Sequence, residues 1–119
     1  MTTEPPTPAA FPPFATELHA TEDQAVLRIR GEIDLATEEA MSDAIDALLE
    51  SGAKDVVIDL RDVAYMDSTG VQRLLSAQFR AEEAGLDLRL RLGGPACRIL
   101  LLCGVLPRLT VLDEPGGAS

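Results

Sequence analysis

The sequence predicts an α/β domain of order ββαβαβαβ: a mostly parallel sheet with an antiparallel hairpin at its N-terminal start and helices packed on it. Three observations carry this. Stretches in which apolar residues alternate with polar ones, "VLRIR" and "LDLRLRL", take turns with stretches whose apolar residues recur at helical spacing. The run "DVVIDL" is almost unbroken in β-branched and aliphatic residues, as in a strand covered on both faces. Only the polar turn "TEDQ" separates the first two strand-like segments, which makes them a hairpin.

Residues 1–15 hold five of the eight prolines (Pro5, Pro6, Pro8, Pro12, Pro13), a composition that predicts an extended flexible arm. Its Phe11 and Phe14 either dock on the body or meet a partner. The folded domain is expected over residues 16–113. A short strand falls at Thr16–His19, and the second has Leu27 and Ile29 alternating with Arg28 and Arg30 and ends at Gly31. The segment "LATEEAMSDAIDALLESG" is a helix with Met41, Ala44, Ile45, Leu48 and Leu49 on one stripe and Gly52 as its stop. Its acids Glu38, Glu39, Asp43, Asp46 and Glu50 form either a docking surface or a solvated face. A strand over Asp55–Leu60 leads through a connection, "RDVAYMDS", into a second helix with Val71, Leu74, Leu75 and Phe79 at helical spacing up to Gly85. Leu86, Leu88, Leu90 and Leu92 alternate with Asp87, Arg89 and Arg91 in the next strand. Gly93, Gly94 and Pro95 open a short greasy helix that Gly104 stops, and Leu109–Leu112 is the last strand. Residues 114–119 form a short disordered tail.

Composition narrows the chemistry. A chain of 119 residues is one domain's worth, and with aromatics at 3% its core is built from aliphatic residues. Ten basic against twenty acidic residues leave a formal charge of -10, which repels phosphate backbones and anionic lipid, so neither nucleic acid nor membrane is an expected direct partner. A protein with basic patches is. No apolar stretch has the length of a membrane span and no secretory signal opens the chain, so the expected location is the cytoplasm. Cys97 and Cys103 lie six apart in one predicted helix, on roughly opposite sides, and read as unbridged buried residues. With one histidine (His19) and one lysine (Lys54), no zinc site can be assembled, and no cofactor or enzymatic activity is expected.

The hexamer "YMDSTG", Tyr65 to Gly70, stands where a strand hands over to a helix. Asp67 and Ser68 are favoured capping residues, and Gly70 permits a sharp turn, which is one sufficient account. The other is a switch: a hydroxyl on an exposed helix start can be phosphorylated, gaining about -1.5 to -2 charge that its own helix end tolerates and a packed partner does not.

The stretch "VVIDLRDVAYMDSTGVQRLLSAQFRAEEAG" resembles the signature region of STAS domains (sulfate transporter and anti-sigma factor antagonist), in which a central strand leads into a D-S-x-G loop and a helix. "RGEID", ending at Asp34, is similar to that family's G-E-hydrophobic-D segment, and "LLLCGVLPRLTVLD" to its closing helix, turn and strand. The resemblance implies a bacterial anti-sigma factor antagonist. Unphosphorylated, such a protein binds an anti-sigma factor with serine-kinase activity and frees the sigma factor; a serine phosphatase resets it. The family's phosphoacceptor falls on Ser68, with Thr69 the neighbour to rule out. Asp34, Asp67, Ser68, Thr69, Gly70 and Val71 match its partner surface, although Asp34 is equally suited to end a strand and cap a helix. The family's usual C-terminal helix is expected to be missing or very short here, since Pro115, Gly116 and Gly117 follow the last strand.

Competing readings are weaker. A receiver-type phosphoacceptor at Asp59 lacks the acidic pair after the first strand and a lysine after the last, and Asp59 is better seen as a loop-organising carboxylate. Asp59 with Asp67 as an acid/base pair has no group to tune it. The alternative to the antagonist keeps the fold: an accessory or scaffold subunit of a transport or signalling complex, in which the loop hydroxyl is structural.

Overall fold

Strict alternation produces β2 (Gln24–Ile33), where Ala25, Leu27, Ile29 and Ile33 are buried and Arg28 and Arg30 are exposed. The structure, a computed structural model, describes residues 13–112, so most of the N-terminal arm, Phe11 included, and the C-terminal tail lie outside the described residues. Phe14 is partly buried against the core. β2 does not stop at Gly31: with φ at 97° that glycine carries the strand through a register shift, and pairing continues to Ile33. β1 (Ala15–Ala20) runs antiparallel to β2, while β3 (Asp55–Met66) and β4 (Asp87–Leu92) follow in parallel, in the order β1-β2-β3-β4. This is the expected mixed sheet.

The expected connection "RDVAYM" is strand. Arg28 faces Asp59 but Arg30 faces Asp62, and Gly31 faces Val63 but Glu32 faces Tyr65, so β3 twice carries one residue more than its partner. The buried positions accordingly run Val56, Ile58, Leu60, then Val63 and Met66. The spacing widens from two to three at each bulge, and the alternation that marks a strand in sequence is lost.

A single 3-10 turn (Leu35–Thr37) precedes α1 (Glu38–Leu49), which buries Met41, Ile45 and Leu48, with Ala44 and Leu49 at the margin. α2 (Ser68–Glu83) buries Val71, Leu74, Ala77, Gln78 and Ala81. Phe79, expected inside, is 63% exposed, because the inward stripe passes through the small residues at 77 and 81. Gln78 lies buried with its Oε1 accepting the Thr110 N–H at 3.3 Å and its Nε2 donating to Glu82. α3 (Gly94–Leu102) buries Ala96 and Leu100 and leaves Leu101 and Leu102 exposed. The cysteines are unbridged, but not buried as expected: Cys97 is half-buried, and Cys103 is exposed just beyond the helix end. The expected last strand amounts to one parallel bridge, Leu90 with Val111, since a 3-10 turn over Leu106–Arg108 uses up the approach to it.

The three α-helices share one buried cluster with Leu27, Ile29, Val56, Ile58, Leu60, Leu88 and Leu90. β3 is central, yet its second face is covered by neighbouring strands' side chains: Val57 sits between Val26 and Arg89, Asp59 between Arg28 and Arg91, and both are nearly inaccessible.

Candidate functional site

Parallel pairing of Ile33 with Met66, closed by a hydrogen bond from the Asp67 N–H to the Ile33 carbonyl (3.1 Å), brings Asp34 and Asp67 to the same carboxyl end of two adjacent strands. In open α/β sheets this is the end where sites form. Both carboxylates face their own backbone. Asp67 is the N-cap of α2, its Oδ1 accepting from the Thr69 N–H at 2.9 Å and the Gly70 N–H at 3.4 Å. Asp34 caps the 3-10 turn reciprocally with Thr37: its Oδ1 accepts the Thr37 N–H (3.1 Å), and Thr37 Oγ1 accepts the Asp34 N–H (3.0 Å). Asp67→Ala frees two N–H groups and is expected to cost about 1 kcal/mol of stability, read as a lowered urea midpoint at unchanged slope.

The two hydroxyls of the hexamer differ. Ser68, the first residue of α2, is exposed and its hydroxyl makes no hydrogen bond to another described residue, whereas Thr69 is half-buried. Gly70 and Val71 are buried beneath them. A Cβ at Gly70 would come 2.8 Å from Ile33 Cγ2 and 3.1 Å from Met66 Cγ, so the helix start is pressed onto the ends of β2 and β3. Of the residues singled out in the sequence, Asp34, Asp67, Ser68 and Thr69 thus meet near the surface, and Gly70 and Val71 support them from below.

Two residues of this end escape the sequence reading. Leu35 is 73% exposed directly after Asp34, and Tyr65 is 46% exposed on the outward side of the second bulge. Leu35 had a signal, since it falls off the apolar stripe of α1. Beside it lies a shallow depression of about 440 Å³ lined by Leu35, Ala36, Glu38, Glu39, Ser42 and Asp43. Glu38 reaches Arg73 of α2 at 3.5 Å, which ties the two helices together.

Asp59 belongs elsewhere. It is buried, with Oδ1 accepting from the Arg61 N–H (3.1 Å) and Nε (3.0 Å) and Oδ2 from Nη2 (2.9 Å), so it organises the first bulge. Burial alone would raise its carboxyl, but the side-chain and backbone hydrogen bonds from Arg61, helped by the charges of Arg61 and Arg91, hold it below the usual carboxylate range. The sign follows: a carboxyl held lower in the folded state than its unfolded value of about 3.9 contributes fully above that pH and loses its contribution as pH falls through the folded value. The melting-temperature gap between wild type and Asp59→Asn should be constant above about pH 5 and shrink below about pH 4. Lys54 lies just before β3, at the opposite end of that strand from Asp67. Among the described residues no group of three His, Cys, Asp or Glu is placed to hold a metal ion, and no helix is long and apolar enough to cross a membrane.

The family model described as "Mlab, STAS domain" matches residues 16–104. The chain belongs to the STAS domain family. This STAS domain is 31% identical over 45 residues to an anti-sigma-B factor antagonist of Staphylococcus aureus, a match that spans 38% of this chain and 42% of that protein. Among solved structures it is similar to an anti-sigma factor antagonist from Mycobacterium paratuberculosis, with a TM-score of 0.73 at 24% identity over 89% of this chain and 91% of that one. It is similar to the unphosphorylated anti-sigma factor antagonist SpoIIAA (TM-score 0.67, 20% identity, 87% and 93% covered). The Bacillus cell fate determinant SpoIIAA in its phosphorylated form gives a TM-score of 0.62 at 22% identity, with 87% and 96% covered. At these identities the structures establish the fold.

Proposed function

We propose that this STAS domain is a cytoplasmic anti-sigma factor antagonist. Unphosphorylated, it binds an anti-sigma factor with serine-kinase activity and thereby releases the sigma factor; phosphorylation of Ser68 ends that binding, and a serine phosphatase restores it. It acts by docking, and no residue is assigned a catalytic role. The observation that carries the reading is the contrast within the hexamer: Ser68 stands exposed at the start of a 16-residue helix, whereas Thr69 is half-buried. The names of the relatives support it, one of them having been solved with and without phosphate.

The chemistry is consistent at each step. A phosphate on the first residue of α2 sits at the positive end of the helix dipole, so modification leaves the fold intact. A net charge of -10 suits a basic partner face, and the exposed Leu35 and Tyr65 supply apolar contact beside the hydroxyl. Asp34 and Thr69 contribute to that face, while Asp67, Gly70 and Val71 hold it in shape.

Immobilised kinase-type anti-sigma factor tests the reading directly. The protein should be retained in the presence of ADP and released over time when ATP replaces it. Failure to bind at all, or retention indifferent to ATP, overturns the proposal; the second result is what a permanent accessory or scaffold subunit would give.

A further inference from the structure

The two edges of the sheet are finished differently. Beyond β4, the Leu90 N–H donates to the Thr110 carbonyl and the Leu112 N–H to the Leu90 carbonyl, both at 2.8 Å, so that edge is partly closed. Beyond β1, no strand pairs among the described residues, and Thr16 through Ala20 are all exposed. Of the usual guards of an open edge, β1 has one charged side chain, Glu17, and little else. Its sequence, "ATELHA", has no lysine and no proline, and its register with β2 runs unbroken from Ala15–Arg30 to Ala20–Ala25.

The side chains of this edge complement themselves. Leu18 pairs with the buried Leu27 and so points to the helix-covered face, where it remains 38% exposed. Glu17 and His19 pair with Arg28 and Val26 on the other face, where His19 Nε2 lies 3.4 Å from the Glu17 carboxylate of its own strand, a contact that a second copy would have to exchange. An antiparallel copy of β1 centred on Leu18 would set the two leucines opposite each other, Thr16 opposite Ala20, and each Glu17 carboxylate opposite the other copy's His19 imidazole, an acceptor facing a donor. Centring on Glu17 would instead oppose two carboxylates, and centring on His19 would leave the leucines unmatched.

We infer that the protein pairs with a second copy of itself through the outer edge of β1, in antiparallel register about Leu18. A two-fold axis perpendicular to the sheet makes one continuous eight-stranded sheet with every α-helix on the same face. Because the two β2 strands then run in opposite directions, the two Ser68 loops lie at opposite ends of that sheet, and both stay accessible. Pairing therefore leaves partner binding at one per protomer and does not depend on the function proposed above. Each copy carries a charge of -10, so added salt should strengthen the association.

Sedimentation velocity of the full chain from about 1 to 100 µM tests this, covering the affinity range of a small strand-edge contact. A concentration-dependent dimer is expected, and Leu18→Lys, which would oppose two ammonium groups, should be monomeric with an unchanged melting curve. Register is read separately in a Cys97→Ala, Cys103→Ala background. Leu18→Cys should form a disulfide-linked dimer on mild oxidation, because directly opposed Cα atoms lie about 4.5–5.5 Å apart, whereas Thr16→Cys, about 13 Å from its counterpart, should not. A wild-type chain that stays monomeric throughout, whether residues 1–12 or solvent covers the edge, overturns the inference. So does a dimer that survives Leu18→Lys, or a Thr16→Cys variant that cross-links as readily as Leu18→Cys.

Discussion

Ser68→Asp is expected to bind the proposed anti-sigma factor partner at least about 100-fold more weakly than the parent chain, and Ser68→Ala to stay within about threefold. The alanine variant removes a hydroxyl that makes no hydrogen bond to another described residue, so neither the fold nor the docked face loses a contact made within the chain. The aspartate variant places a second carboxylate beside Asp67 at the start of α2, in a chain whose formal charge is already -10. In solution that charge is hydrated and rests on the helix dipole. Under a docked partner it must shed water, and the cost is on the order of a few kcal/mol, each ~1.4 being tenfold in affinity. Titration calorimetry of the three proteins against one anti-sigma factor separates this from misfolding, provided their melting curves agree. Equal affinities for Ser68→Asp and wild type would remove the electrostatic basis of the switch.

Gly93→Ala is expected to destabilise the domain by about 2–3 kcal/mol. A Cβ there would stand 2.6 Å from the Arg61 carbonyl oxygen and 3.1 Å from the Arg61 Cα, and backbone cannot rotate aside as a side-chain tip can. Arg61 lies in the first bulge of β3, tied to Asp59, so relief would have to come from moving the start of α3. The backbone angles at Gly93 suit any residue, which leaves space as the reason for glycine. Gly94, one residue on, meets nothing within 4 Å, and Gly94→Ala should shift stability by no more than about 0.5 kcal/mol. Denaturant unfolding of the pair checks both numbers, and equal effects at the two positions would refute the argument.

Periodicity told most where one face of an element is buried and the other is wet. β2, β4 and the stripe of α1 were legible for that reason, and the short "TEDQ" turn gave the hairpin. The extension of β3 was not. Each bulge moves its inward residues from every second to every third position, so Val63 and Met66 no longer look like the continuation of Val56, Ile58 and Leu60. Phe79 and the two cysteines mislead in another way: apolar character says what a residue tolerates, and only the packing of α2 and α3 says which side they take. At the site, the caps were readable from residue type at a strand-helix junction, and the structure shows Asp34 and Asp67 both acting as caps. What no local pattern could tell is that a parallel register of Ile33 with Met66 lays these two junctions side by side, with Leu35 and Tyr65 exposed around them.

One measurement bears most directly on the switch. The purified protein is incubated with its kinase-type anti-sigma factor and ATP, the modified residue is mapped by mass spectrometry, and the same sample is titrated back against fresh anti-sigma factor. The account predicts a single phosphate on Ser68 and no measurable rebinding until a serine phosphatase removes it. A phosphate on Thr69 or elsewhere, none at all, or a Ser68 phosphoprotein that rebinds as tightly as the unmodified chain would contradict it.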